Sequence, residues 1–341
     1  MARRTLPPPQ LDLFRAPTPP APSAPVGTAV VPQAMTALAE HLPAQLYLGT
    51  SSWSFPGWEG LVYDRATTAT TLARHGLVAY AQHPLLRAVG IDRTFYAPIT
   101  TAAFAAYAAD VPEAFRFVVK AHAWCTQPVL RETPQATVRR PTLNEAFLQP
   151  AYALEQVVEP CVTGLGTKLG VLLFQFSPLD VQAVGGPQHF AARLHAFFTA
   201  LPRDLPYAVE VRNQPLLCPD YREALADLGV SHCYSLHPSM PPLAIQMQHI
   251  PLDATPTLLV RWSLNPTRRY AEAKDHYQPF DRIVDEDQHN RQTIASMCLT
   301  TLTAQRPTFV IANNKAEGSA PCTLFRLADA IGQSDVAPAT L

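Results

Sequence analysis

The sequence lacks the common signatures of a metal, nucleotide or serine-nucleophile site. Its six cysteines (Cys125, Cys161, Cys218, Cys233, Cys298 and Cys322) are scattered. Without a C-x-x-C pair or zinc-type spacing they argue against a disulfide framework or a structural metal and read as reduced thiols. No H-E-x-x-H pair occurs, and His122, His232, His237, His276 and His289 stand apart, so no metal or cofactor is required by the sequence. A G-x-S-x-G elbow and a phosphate-binding P-loop are also missing.

Excess charge is absent too. The formal net charge is -1, which argues against gripping nucleic acid through the overall field, since that grip comes from many Lys and Arg neutralising phosphates. No run approaches the roughly 18 consecutive apolar residues a membrane span needs. Arg3 and Arg4 are followed by Leu6-Pro7-Pro8-Pro9-Gln10, which breaks the helical segment of a signal peptide, so a cytoplasmic chain with no membrane partner is expected.

What is abundant is proline, 35 residues in all, crowded into PPPQ, APTPPAPSAP and VVPQ near the start. Proline removes backbone donors and favours extended chain, so residues 1–44 are expected to form a disordered tail. From there, over 45–335, short β-rich runs alternate with Ala- and Leu-rich helical stretches. The runs are 46–50, 87–96, 115–121, 171–176, 207–212, 230–236, 257–263 and 308–314. Only the connection 237–256 lacks a clear helix. Eight alternating units predict parallel strands with right-handed crossovers, hence an α/β fold of one (β/α)8 TIM-type barrel. The first strand runs into GTSSWSFPGW and not G-x-G-x-x-G, which weighs against an open dinucleotide-binding sheet.

In such a barrel the C-terminal strand ends build the site. Asp92, Lys120, Gln175, Glu210, Arg212, Arg261 and Asn313 sit there, late in apolar strands, and each is expensive to bury without partners. Strand periodicity puts Glu210 with Arg212, Lys120 with His122, and Gly90 with Asp92, Thr94 and Tyr96. Asp92 and Glu210 against Lys120, Arg212 and Arg261 leave one positive charge over, a balance that favours a phosphate or carboxylate. Glu210 and Asp92 are candidate acids or bases; Lys120 is a candidate to bind an oxyanion or form a Schiff base. Asn313, Asn314 and Gly318 of ANNKAEGSAP resemble a phosphate corner ahead of a helix starting near Pro321. Trp53 and Trp58 are candidates to stack on a base or sugar, or else to plug the barrel end. The bland alternative for the charged set is a self-satisfied ion network.

Six blocks, GTSSWSFPGWEGLVY, IDRTFYAP, FRFVVKA, LGTKLGVLLFQFSP, AVEVR and NNKAEGSAP, resemble the YecE-like family, a domain of unknown function, in its order. The resemblance implies the barrel, a polar mouth and a likeness to barrels of the endonuclease IV type. Lys120, Gln175, Glu210, Arg212, Arg261, Asn313 and Asn314 match its pattern. Gly90 stands where the family carries an acid, Asp92 where it carries Asn, and Asn213 where it carries His; Arg261 is followed by Trp262-Ser263 in place of Phe-His.

Gln10-Leu11-Asp12-Leu13-Phe14 is similar to the pentapeptide by which bacterial replication and repair proteins bind the DNA sliding clamp. Extended, it would seat Leu11, Leu13 and Phe14 in apolar pockets. Together these readings predict recruitment to DNA processing and a mouth for a phosphate-bearing, possibly nucleic-acid ligand, with phosphodiesterase chemistry. The alternatives are a lyase, isomerase or hydrolase of a phosphorylated or carboxylated metabolite centred on Lys120 and Glu210, and a non-catalytic adaptor.

Overall fold

Continuous apolar runs suit strands buried on both faces, and each of the eight becomes a strand. A computed structural model describes residues 25–130 and 142–333. The strands are β1 (Leu46–Thr50), β2 (Ala88–Ile91), β3 (Arg116–Lys120), β4 (Leu169–Gln175), β5 (Tyr207–Glu210), β6 (Ser231–Leu236), β7 (Leu258–Trp262) and β8 (Thr308–Ala312). They pair in parallel, each with its sequence neighbours, and β1 closes the barrel against β8 from Leu46↔Thr308 to Thr50↔Ala312. The β1–β2 seam pairs only Gly49↔Ala88 and Thr50↔Val89. There the Tyr80 hydroxyl stitches it, accepting from the Thr50 amide at 3.0 Å and donating to the Ala88 carbonyl at 3.0 Å.

Helices α1 (Gln33–His41), α2 (Ala69–Ala81), α3 (Thr101–Ala109), α4 (150–165), α5 (Gly186–Thr199), α6 (Pro219–Asp227), α7 (Leu243–His249), α8 (Tyr270–Tyr277), α9 (Gln288–Thr303) and α10 (Ala320–Gly332) surround the strands. The large core lies between strands and helices, whereas Ala88, Val118, Val171, Leu173, Ala208, Cys233, Leu259, Phe309 and Ile311 pack inside the barrel. No helix among the described residues is long and apolar enough to cross a membrane.

Three expectations need correction. Of the tail expected over 1–44, residues 25–44 are built into the fold: the Ala29 amide donates to the Val62 carbonyl at 2.9 Å, and α1 packs on α10. Arg87 secures α1 by donating to the Ala39 carbonyl and, at 3.0 Å, to that of Pro43, a cation satisfying orphan carbonyls at a helix C-terminus. Pro32 and Pro43 bound this helix instead of dissolving it. Residues 10–14 lie outside the described residues. Next, the second strand stops at Ile91, and Asp92–Phe95 wind into a 3-10 turn, so the face expected to join Gly90, Asp92, Thr94 and Tyr96 does not exist. Thr94 instead turns inward to donate to the carbonyls of Ile91 and Lys120, while Tyr96 is exposed. Finally, 237–256 does contain a helix, α7, and Gln246 on it pins β6 by exchanging hydrogen bonds with the Ser235 backbone at 3.1 and 2.9 Å.

Candidate functional site

A strand's period of two carries the barrel interior upward from apolar to polar side chains. Val118 is followed by Lys120, Leu173 by Gln175, Ala208 by Glu210, Cys233 by Ser235 and Leu259 by Arg261, and these polar groups meet at the C-terminal mouth. Glu210 is the hub and is fully buried. Its Oε1 accepts from Arg212 Nε at 2.9 Å and from Ser235 Oγ at 3.2 Å, and its Oε2 from Arg261 Nη1 at 2.7 Å. Gln175 Oε1 accepts from both arginines, at 3.1 Å from Arg261 and 3.2 Å from Arg212. Burial raises the Glu210 carboxyl, but the guanidiniums of Arg261 and Arg212, with Lys120, outweigh it and hold the group well below the usual carboxylate range. With both oxygens engaged and none of it exposed, Glu210 is suited to orienting the arginines rather than to exchanging protons with a ligand.

Asp92 is the open carboxylate. The turn that ends β2 aims it across the mouth, where its Oδ2 accepts from Arg261 Nη2 at 3.1 Å while the side chain stays about one-third exposed, at 34%. Arg212 reaches the other way, its Nη1 lying 3.3 Å from His237 Nε2. Burial, then the Arg212 charge, lowers the His237 imidazole to about 4, so it stands neutral beside the guanidinium at pH 7.

Lys120 differs from all of these. It is 9% exposed, its ammonium forms no hydrogen bond or ion pair among the described residues, and Nζ lies 4.2 Å from the centre of the Phe95 ring. Burial depresses its pKa to about 8, against the opposing pull of Asp92. Beside it, His122 hydrogen-bonds Tyr152 at 2.6 Å, and Tyr152 stacks on the partly exposed Trp124 at 5.8 Å.

The remaining expected residues separate. Asn313 Nδ2 donates to Ser51 Oγ at 2.9 Å, and its Oδ1 faces the Lys315 ammonium at 3.3 Å, on the β8 side of the mouth. Asn314 does not join the mouth: it is 1% exposed, and its Oδ1 accepts from Trp58 Nε1 at 3.2 Å and from the Ala320 amide at 2.8 Å. It thereby caps α10, and the expected phosphate corner is filled by the protein's own residues. Gly318 there has φ +123° and comes so close to the Arg282 carbonyl that a Cβ would sit 2.5 Å from it. Trp53 is also internal, its indole donating to the Leu72 carbonyl at 3.1 Å, so both tryptophans of the first loop are buried pillars. Tyr96 stays outside the charged cluster with its ring exposed.

Sequence reasoning missed Ser235, His237 and Lys315 as members of the mouth. Ser235 was within reach of the period-two rule from Cys233; His237 and Lys315 lie on loops, where no periodicity applies. The departures from the family pattern have local homes: a Cβ at Gly90 would lie 3.1 Å from Ser51 Cα, and Asn213 latches the loop after β4 through the Leu179 amide and carbonyl at 2.8 and 2.9 Å. Among the described residues no group of three or more His, Cys, Asp and Glu side chains is placed to hold a metal ion.

The family model described as "Protein of unknown function DUF72" matches residues 47–340. The chain belongs to this family. Its barrel is similar to the crystal structure of a DUF72 family protein from Enterococcus faecalis, with a TM-score of 0.57 and 20% identity over 84% of this chain and 95% of that one. A DUF72 family protein from Thermotoga maritima is similar to the same degree, with a TM-score of 0.56 and 18% identity over 83% of this chain and 98% of that one. At such identities the likeness establishes the DUF72 fold alone. No curated protein matches the chain.

Proposed function

We propose that the barrel mouth binds a small anion, a phosphate or carboxylate group, at Lys120 and the adjoining arginines, and that residues 10–14 bring the barrel to DNA through the sliding clamp. One observation carries the first half. Glu210 and Asp92 are occupied by Arg261 and Arg212, which leaves Lys120 at the mouth without an ion pair and without a hydrogen bond among the described residues; Lys315, across the mouth, has no ion pair among them either and faces the Asn313 amide oxygen. A largely buried ammonium with few polar partners is costly, and an anion entering the mouth repays that cost with a charge-assisted contact. On DNA such an anion is a phosphodiester, and Asp92, whose Oδ1 takes no partner among the described residues, is the group placed to move a proton at it. The near-neutral chain gives the barrel little field-driven affinity for DNA, and a tethering peptide supplies local concentration instead.

Titration of the purified protein with inorganic phosphate, followed by calorimetry, tests the mouth. Lys120→Met is expected to weaken binding at least tenfold, about 1.4 kcal/mol; unchanged affinity ends the proposal. Retention on immobilised clamp tests the tether, and a Leu13→Ala, Phe14→Ala double variant held as well as the wild type removes that half.

A further inference from the structure

Lysine is scarce in this protein: Lys120, Lys168, Lys274 and Lys315 are its four, against 22 arginines. Arginine serves nearly every other cationic position, including both partners of Glu210. A guanidinium cannot shed its proton near neutral pH, whereas an amine can, so a buried lysine amid arginines supplies something arginine does not. The four are also unlike in setting. Lys168 is engaged by the carbonyls of Ala108 and Val111 at 2.8 Å each, Lys315 faces Asn313 at 3.3 Å, and Lys274 is exposed on α8. Lys120 alone combines burial, an ammonium free of hydrogen bonds among the described residues, and a strand end opening on charged neighbours.

We infer that Lys120 is a covalent-acting amine that condenses with the carbonyl carbon of a small aldehyde or ketone carrying a carboxylate or phosphate. The choice of an anionic substrate rests on the anion-binding reading of the same mouth. In the step, the ammonium passes a proton to Asp92, the freed Nζ lone pair forms the C–N bond, and the carbonyl π pair moves to oxygen. Asp92 delivers that proton to the oxygen and then carries a second one there from nitrogen; the oxygen leaves as water as the nitrogen lone pair closes the C=N bond, so the ammonium and carbonyl have become an iminium and water with no net gain or loss of protons or electrons. The iminium keeps the positive charge that Asp92 and Glu210 already face. The Phe95 ring under Nζ lines the reacting nitrogen with an apolar wall. A free amine is reached readily here because burial, aided by the Arg261 and Arg212 charges and opposed by Asp92 and Glu210, brings Lys120 to about 8.

Glyoxylate, an aldehyde bearing a carboxylate, is the probe, with cyanoborohydride as trap and peptide mapping by mass spectrometry as readout. At pH 8 the reduced adduct is expected on Lys120 at least tenfold faster than on exposed Lys274, and absent from that position in a folded Lys120→Arg variant. Trapping on Lys120 is expected to rise with pH and level off above about 8. Modification of Lys120 no faster than Lys274 overturns the inference. Excess inorganic phosphate separates it from the reading beneath it. Protection of Lys120 by phosphate supports both, a Lys120 adduct indifferent to phosphate keeps the amine chemistry and defeats the anion site, and phosphate binding by calorimetry without an adduct does the reverse.

Discussion

Two fully buried glutamates stand near the same end of the barrel, each gripped by arginine, and they serve different ends. Glu210 engages both oxygens and its two guanidiniums continue outward to Asp92 and His237, so its order is transmitted to the mouth. Glu317, in the loop after β8, leads away from the mouth: its partner Arg291 also donates to Glu286 at 2.7 Å, and Glu286 accepts from Arg326 at 2.6 Å on the outer surface. Glu317 Oε1 accepts from Arg291 Nη2 and the Asp287 amide, both at 2.6 Å, and its backbone carbonyl accepts from Val284 and Asp285 at 2.7 and 3.1 Å. Its Oε2, with Asn314 Nδ2, Ser319 Oγ and Thr323 Oγ1, takes no partner among the described residues. Both clusters belong to blocks that look like site motifs in the sequence. Only the Glu210 cluster passes its arginines on to the open mouth; burial plus arginine therefore marks a site only where the network reaches a surface a ligand can enter.

Removing each carboxylate gives the largest test of that contrast. Glu210→Ala leaves Arg212 without an anion and Arg261 with Asp92 alone, whereas Glu317→Ala leaves Arg291 its half-exposed partner Glu286; Glu210→Ala is expected to lose about 3–5 kcal/mol in denaturant unfolding and Glu317→Ala less. Phosphate binding should vanish in the first and persist in the second, and loss in both would erase the distinction. Acid sharpens it. Because folding holds the Glu210 carboxyl below its unfolded value of about 4.3, its contribution is intact above that pH and drains away as pH falls below it. Glu210→Gln should therefore lose less stability than wild type between pH 5 and pH 3.

Next in size, and opposite in sign, is the lysine. Folding lowers Lys120 from about 10.4 to about 8, so the unfolded chain holds the proton more tightly and the charged residue costs stability below pH 8. Lys120→Met is expected to stabilise the apoprotein at pH 7 by on the order of 3 kcal/mol. The gain should shrink between pH 8 and 10.4, and a destabilised variant at pH 7 would mean that Lys120 is paired after all. A single residue whose loss strengthens the fold and weakens ligand binding is the expected mark of a functional group.

How much of this was legible depends on how local the cause is. The eight strands follow from apolar runs, and Lys120, Gln175, Glu210 and Arg261 follow from the period of two, because barrel closure turns every such end to the same place. The 3-10 turn at Asp92–Phe95 has no breaker residue to announce it; the sequence pattern continued the strand while the chain bent. Helix α1 hid among prolines because the group that holds its end, Arg87, comes from a different element. Glu317 read as part of a ligand corner because its partners Asp287 and Arg291 lie 30 and 26 residues earlier, a separation with no signature. Asn314 and Trp58, 256 residues apart, are the same lesson at longer range.

The smallest effects divide the two clusters most cleanly, since they test single hydroxyls. Ser235 Oγ donates to the Glu210 carboxylate, a bond to a charged group, so Ser235→Ala is expected to cost about 1.5–3 kcal/mol and to weaken phosphate binding a few-fold as Glu210 and Arg212 loosen. Thr323 is as deeply buried, yet its hydroxyl takes no partner among the described residues, and such a group lowers stability by its desolvation alone. Thr323→Val keeps the shape and removes that penalty, so it should be neutral or stabilising and leave phosphate binding untouched. Equal losses in the two variants would show that the Glu317 cluster is as tightly bonded as the Glu210 cluster, and the asymmetry between a network that reaches the mouth and one that runs to the outer surface would fail at its most local point.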